Sequence, residues 1–291
     1  MNCFFSTGCF LQQDLKEIVF VAIDHGLDIE LSSSVAHAPD IVDSICKAKG
    51  QVRFLVHNYF PPPFEPFVLN LASTEPVSHR KSVNLCKQAI DLCAELGTPF
   101  YSVHAGFAFH LTPSMLGDPE AQRHIRRELL IPREKAYDIF ISTIKDIAGY
   151  ANAKGVKLLV ENNVETTENV GHNGQSPLFL ADVEDISRFF ADIDDPRIGL
   201  LLDTGHAKVS AKTKGGRPEQ FLEDLSPFIR AFHLSDNDGC RDTNQSFDGR
   251  VWFAPFLKEF ASLPMVIEVY RISLENMLKQ RQVLEQLLAD L

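Results

Sequence analysis

Short apolar segments rich in β-branched and aromatic residues recur along this chain, and longer amphipathic segments separate them. Strands of a parallel sheet are buried on both faces, so this alternation is typical of repeated strand–helix units around such a sheet. Eight units in 291 residues match the usual size of a (β/α)8 barrel. The predicted strands begin near Asn2, Leu27, Gln51, Phe100, Lys157, Ile198, Ala231 and Met265.

The segments between the strands are predicted to be helices. They cover residues 12–25, 39–49, 77–96, 132–154, 180–190, 218–225, 252–262 and 274–291. Four of the helical patterns or their loops end in a glycine, which favours the left-handed cap that closes many helices. These glycines are Gly26, Gly50, Gly97 and Gly155. The long segments 61–76, 105–130, 163–177 and 236–251 follow strands and precede helices, which is the position of the catalytic-face loops of a barrel.

A doubly wound open sheet is the alternative arrangement of such units. It usually carries a glycine-rich turn with nucleotide-binding spacing after its first strand. The first turn here, residues 6–10, reads STGCF and lacks that spacing. We therefore predict a single TIM-barrel domain over residues 1–291, with its site at the C-terminal ends of the strands.

Charge and composition narrow the partners and the compartment. The formal net charge of −11 repels polyanions, and no dense run of Lys and Arg reverses it, so nucleic acid is disfavoured as a partner. The N-terminus lacks a basic leader, and no apolar run is long enough to span a bilayer, so we expect a cytoplasmic protein with no membrane partner. Six cysteines without a C-x-x-C pair indicate reduced thiols. The 22 phenylalanines leave a homo-oligomer open.

Seven of the eight predicted strands end in an acidic residue or a histidine. Such a group at the end of a buried strand is costly unless it is paired or bound to a metal ion, so seven instances need a common cause. The C-terminal strand ends of a barrel converge, which brings residues distant in sequence into one site. The residues are Glu30, His57, His104, Glu161, Asp203, His233 and Glu268.

Four of these residues come from successive strands and form the predicted metal site. They are Glu161, Asp203, His233 and Glu268, called the quartet below. Three carboxylates and one imidazole suit Mn²⁺, Mg²⁺, Co²⁺ or Zn²⁺. Each residue taken alone is better explained as a buried hydrogen-bonded group or a salt-bridge partner, but the set of four predicts a divalent metal ion.

The remaining titratable residues receive weaker assignments. His57 and His104 are predicted either to bind a second metal ion bridged by Glu161 or to hydrogen-bond the substrate. His206, three residues after Asp203, is expected in a loop or a first helical turn above the site, as a substrate contact. Arg241, in the loop after the seventh strand, is a second candidate substrate contact, and a solvated arginine is the alternative. Glu30 is interpreted as a structural anchor for Arg or His side chains in the barrel floor, and a substrate contact is the alternative.

Several sequence pieces resemble the xylose-isomerase-like TIM-barrel superfamily, which contains sugar isomerases and epimerases, inosose-processing enzymes and the endonuclease IV type of DNA-repair enzyme. The most specific pieces are residues 203–206 (DTGH), 160–162 (VEN), 233–236 (HLSD) and Glu268. The resemblance covers nearly the whole chain. It implies that the quartet binds the metal ion, that Glu161 and Glu268 also move protons, and that His206 contacts the substrate.

Other pieces are similar to endonuclease IV in particular. They are residues 56–60 (VHNYF), 70–73 (NLAS) and 104–106 (HAG), and the resemblance implies that His57 and His104 bind an additional zinc ion. Endonuclease IV also carries an Asp-x-His pair for a third zinc ion, whereas residues 242–244 here read DTN. Asn244 is a poor substitute for a zinc-binding histidine, which argues against a complete three-metal site.

We therefore predict a metal-dependent isomerase or epimerase that acts on a sugar, sugar phosphate or related polyol by proton transfer through an enediolate. Glu161 and Glu268 are the predicted catalytic residues. Three alternatives stay open: an endonuclease IV-like zinc phosphodiesterase on abasic DNA, a dehydratase on a cyclic polyol or keto acid, and a non-catalytic binding barrel.

Overall fold

The computed structural model describes residues 2–115, 129–169 and 176–289. Eight parallel strands close into a barrel in the order in which they occur in the chain, which confirms the predicted fold class. The predicted strand starts agree with the observed ones to within three residues. The strands are β1 (Cys3–Ser6), β2 (Ile29–Leu31), β3 (Phe54–His57), β4 (Phe100–His104), β5 (Lys157–Glu161), β6 (Ile198–Asp203), β7 (Ile229–Leu234) and β8 (Met265–Ile267).

Helices follow the strands and surround the barrel. They are α1 (Leu15–His25), α2 (Ile41–Ala48), α3 (Pro76–Leu96), α4 (Arg133–Ala153), α5 (Val183–Ile193), α6 (Thr204–Thr213), α7 (Glu219–Leu225) and α8 (Leu274–Ala289). The helix predicted over residues 252–262 is instead a 3₁₀ helix, Ala254–Phe260, with a proline in its first turn. Parts of the predicted loops 105–130 and 163–177, and the last two residues of the predicted helix 274–291, lie outside the described residues.

Helix α6 was not predicted from the sequence. Seven of its ten residues are buried, so it lacks the polar face that reveals an amphipathic helix. It begins directly after β6, and the carboxylate of Asp203 caps it by accepting a hydrogen bond from the backbone N of His206 at 2.7 Å. His206 therefore lies in a first helical turn, which is one of the two positions predicted for it, the other being a loop.

Four glycines have the left-handed conformation that the sequence predicted. Gly26, Gly50, Gly97 and Gly155 have φ values of 59°, 90°, 75° and 73°. In the described part of the chain, no helix combines the length and apolar character needed to cross a membrane.

The interior of the barrel is filled at its N-terminal end. Seven strands each contribute one side chain to a buried apolar cluster that is separate from the core between strands and helices. The cluster consists of Phe4, Leu55, Phe100, Leu159, Leu201, Ala231 and Val266. Because this layer is packed, the space available to a ligand within the barrel lies above it, at the C-terminal ends of the strands.

Candidate metal centre

The period of a strand places the titratable residues directly above the apolar layer. Successive side chains alternate between the two faces of a strand, so a residue two positions after an inward-facing one also faces inward. Glu161 stands two residues after Leu159, and Asp203 two residues after Leu201. The same step leads from the layer to Ser6, His57, Ser102, His233 and Glu268. One layer of the barrel interior is therefore polar and titratable.

The quartet forms a compact cluster around one imidazole nitrogen. His233 Nδ1 lies 2.9 Å from Glu268 Oε2, 3.1 Å from Glu161 Oε1 and 3.7 Å from Asp203 Oδ2. One donor atom from each of the four residues lies within 4.8 Å of all the others, and all four residues are buried. The structure thus brings together the residues that the sequence grouped from four separate strands.

Asp203 is held by the residue that follows Glu161. The side-chain Oδ1 of Asn162 accepts a hydrogen bond from the backbone N of Asp203 at 2.8 Å, and Nδ2 donates to the carbonyl O of Asp203 at 3.2 Å. One carboxylate oxygen of Asp203 caps α6. The other, Oδ2, is buried without a hydrogen-bond partner among the described residues and lies on the side of His233.

A second cluster shares Glu161 with the quartet. His57 Nε2 and His104 Nε2 each lie 3.2 Å from Glu161 Oε2, and the other nitrogen of His57 is 3.0 Å from Ser102 Oγ. The hydroxyl of Ser102 fixes the orientation of the His57 ring, so Nε2 points towards Glu161. Each carboxylate oxygen of Glu161 therefore lies next to a different group of histidines.

Burial and close charges perturb the pKa values throughout the site. Burial alone raises the pKa of Glu161, but three neighbouring histidines outweigh it and hold that pKa well below its usual value. Burial raises the pKa of Asp203 to about 8, with Asp242 adding to the shift. Burial lowers the pKa of His57 to about 3. Such opposed shifts within one pocket are typical of a functional site.

The two predicted substrate contacts lie in different environments. His206 is buried, with Nδ1 2.8 Å from the carbonyl O of Asn162 and Nε2 3.2 Å from Asp242 Oδ2. Arg241 is exposed and lies 3.4 Å from Glu168 through Nη2. Both of the ring nitrogens of His206 thus face acceptors of the protein, whereas the guanidinium of Arg241 reaches into solvent.

Two further residues adjoin the site without having been assigned to it from the sequence. Asp242 contacts His206 from the loop after β7, and the Tyr270 hydroxyl lies 3.5 Å from Glu268 Oε1. A period-two count from Glu268 would have found Tyr270, whereas no periodic signal marks Asp242. Glu30, interpreted as a structural anchor, lies 3.0 Å from His233 Nε2 through its Oε2.

Comparison with known proteins agrees with this architecture. Residues 14–287 match a family model described as a xylose isomerase-like TIM barrel. A solved structure described as a D-tagatose 3-epimerase-like protein superimposes with a TM-score of 0.73 at 20% identity, covering 99% of this chain and 97% of that one. At this identity the superposition shows the shared fold.

Two curated relatives carry different activities in their names. A probable endonuclease 4 of Cenarchaeum symbiosum (strain A) is 30% identical over 184 residues, which are 60% of this chain and 55% of that protein. The fructoselysine 3-epimerase of Shigella flexneri is 21% identical over 227 residues, 75% of this chain and 69% of that protein. The chain thus spans about half the length of the endonuclease and about two thirds of the epimerase.

Proposed function

The chain belongs to the xylose isomerase-like TIM-barrel family, and on that premise we propose that it is a divalent-metal-dependent isomerase or epimerase of a sugar, sugar phosphate or related polyol. One observation carries the proposal. Two carboxylates, Glu161 and Glu268, approach the same nitrogen of His233 at 3.1 Å and 2.9 Å and so border one small site. Proton transfer between neighbouring carbons, or between two faces of one carbon, needs such paired groups.

The residues present fit a divalent metal ion. Three carboxylates and an imidazole are a donor set that Mn²⁺, Mg²⁺, Co²⁺ and Zn²⁺ accept. Asp203 Oδ2 is buried without a hydrogen-bond partner among the described residues, which is costly unless a cation takes the place of the missing donor. When bound to the quartet, the ion would polarise a substrate carbonyl and stabilise the negative charge that develops next to it.

The two glutamates would move the proton. The pKa of Glu161 lies well below its usual value because three histidines outweigh burial, and the pKa of Glu268 is lowered chiefly by His233, also against burial. An ionised carboxylate accepts the proton from the substrate carbon next to the carbonyl. If the same carboxyl returns that proton to the neighbouring carbon, the result is isomerisation. If the first carboxyl releases its proton to solvent, and the opposite carboxylate takes up a solvent proton and delivers it to the other face, the result is epimerisation.

The surroundings of the site favour a small substrate over a polyanion. Two of the described cations at the C-terminal face are paired with acidic groups of the protein. Lys208 Nζ lies 2.6 Å from Asp236 Oδ1, and Arg241 Nη2 lies 3.4 Å from Glu168 Oε1. Together with the net charge of −11, these pairs leave little attraction for a nucleic-acid backbone. His206 and Arg241 remain the proposed substrate contacts.

The experiment is solvent-proton exchange. Chelated protein is reloaded with Mn²⁺, Co²⁺, Mg²⁺ or Zn²⁺ in D₂O, and panels of ketoses and aldoses, with and without phosphate, are followed by NMR. We expect metal-dependent deuterium incorporation next to the carbonyl of at least one sugar and its loss in Glu161→Gln. Metal-loaded protein that exchanges no proton on any member of the panels contradicts the proposal. Elimination of water from a polyol during the same assay would identify the dehydratase alternative.

A second candidate function rests on the cluster that shares Glu161. His57 and His104 add two imidazoles to the other oxygen of this carboxylate, and a carboxylate between two metal ions is typical of sites that cleave phosphoesters. The candidate is a zinc phosphodiesterase on abasic DNA, and the relative from Cenarchaeum symbiosum is named a probable endonuclease 4. Two or three equivalents of zinc together with nicking of an abasic duplex would establish it. One equivalent without nicking would remove it.

A further inference from the structure

Glu30 is a carboxylate enclosed in the interior of the barrel. It lies on β2, and its side chain is fully buried. Neither of its oxygens has a hydrogen bond with good geometry among the described residues, and within those residues its close ionic partner is a histidine rather than Lys or Arg. An isolated buried carboxylate is expensive, so a role that needs the charge at this place must offset the cost.

The partner of Glu30 is the histidine of the quartet. Glu30 Oε2 lies 3.0 Å from His233 Nε2, and both side chains are 0% exposed. The other nitrogen of the ring, Nδ1, faces the remaining members of the quartet, with Glu268 Oε2 at 2.9 Å. The imidazole of His233 therefore stands between the quartet on one side and Glu30 on the other.

An imidazole binds a metal ion through the nitrogen that carries no proton, and its second nitrogen then donates its N–H to an acceptor. We propose, on the basis of the proposed metal function, that Glu30 is the positioning residue of His233. Its carboxylate accepts the Nε2–H of His233, which holds the ring in place and leaves Nδ1 free for the metal ion. Glu30 itself touches neither metal nor substrate.

The test compares metal binding in two buried-glutamate variants. Glu30→Gln keeps the shape of the side chain and removes its charge. Glu165→Gln is the matched control, because Glu165 is also buried, has one unpartnered oxygen, and contacts Lys214 rather than the quartet. Co²⁺ is titrated into chelated protein and followed by its visible absorption, with stoichiometry from elemental analysis and melting temperatures of the metal-free forms.

We expect E30Q to bind Co²⁺ about 10- to 100-fold more weakly than wild type, with an altered absorption band. E165Q should retain the wild-type affinity. Equal affinity and equal spectra in E30Q and wild type overturn the inference alone. Loss of one whole equivalent of Co²⁺ in E30Q also overturns it, because Glu30 would then be a ligand. If wild type takes up no Co²⁺, the metal proposal falls as well.

A measurement on the wild type tests the inference without any substitution. Long-range ¹H–¹⁵N spectra of the zinc-loaded protein distinguish the two nitrogens of each histidine ring. We expect His233 to carry its proton on Nε2 and the metal on Nδ1. The opposite arrangement overturns the inference.

Discussion

The side chain of Asn162 extends the pairing of β5 with β6 by one residue beyond the end of β5. Its amide group bonds the backbone N of Asp203 at 2.8 Å and the carbonyl O of Asp203 at 3.2 Å, and both residues are fully buried. In Asn162→Ala, the unpaired backbone N–H costs about 1–3 kcal/mol and the second lost hydrogen bond about 0.5–1.5 kcal/mol. We expect the free energy of unfolding to fall by about 1.5–4.5 kcal/mol.

Urea denaturation of the metal-free protein measures that loss, and Co²⁺ titration measures the effect on the site. Asn163→Ala is the matched control, because Asn163 is also buried and donates to the carbonyl oxygens of Ala105, Gly106 and Phe179, away from the quartet. Both variants should lose stability, but only N162A should bind Co²⁺ more weakly. Wild-type affinity in N162A would refute the reasoning that Asn162 holds Asp203 in position.

Three further predictions concern stability. In the metal-free protein, burial raises the pKa of Asp203 to about 8, and acidic neighbours outweigh burial to raise the pKa values of His206 and His233. Each of these groups binds its proton more tightly in the folded state than in the unfolded state, so the folded state loses stability as the pH rises. The melting temperature should therefore fall between about pH 6.5 and 8.5, and a rise over this range would contradict the prediction. A Cβ at Gly205 would lie 2.6 Å from a buried serine oxygen, so Gly205→Ala should cost about 1–3 kcal/mol in denaturant, whereas Gly149→Ala, with open space around its Cβ, should cost nothing. Metal at 100 times its Kd should add about 2.7 kcal/mol and raise the melting temperature by roughly 4–5 °C, and a calorimetric scan that finds no shift would count against a metal site.

The barrel and its titratable layer were predictable because both depend on the period of a strand. Apolar segments ending in Glu161, Asp203 and His233 already contain the information that these side chains share one end of a parallel sheet. The structure confirms the barrel and brings the quartet within ligand distance. Its assignment as the metal site remains a prediction.

Other parts of the site were not predictable from periodicity. Helix α6 has no exposed polar face, because seven of its ten residues are buried. Asp242 reaches His206 from an irregular loop, and a loop conformation depends on tertiary contacts that the local sequence does not encode. The pairing of Glu30 with His233 crosses the barrel interior, and only the closed geometry brings these two strands' side chains together.

The claim that the quartet holds a divalent metal ion can be tested by anomalous diffraction from crystals soaked with Zn²⁺ or Co²⁺. Data collected on both sides of the absorption edge locate the element without reference to its ligands. We expect an anomalous peak about 2.0–2.2 Å from His233 Nδ1 and from one carboxylate oxygen each of Glu161, Asp203 and Glu268. A crystal of folded, metal-soaked protein with no peak among these four residues would contradict the account.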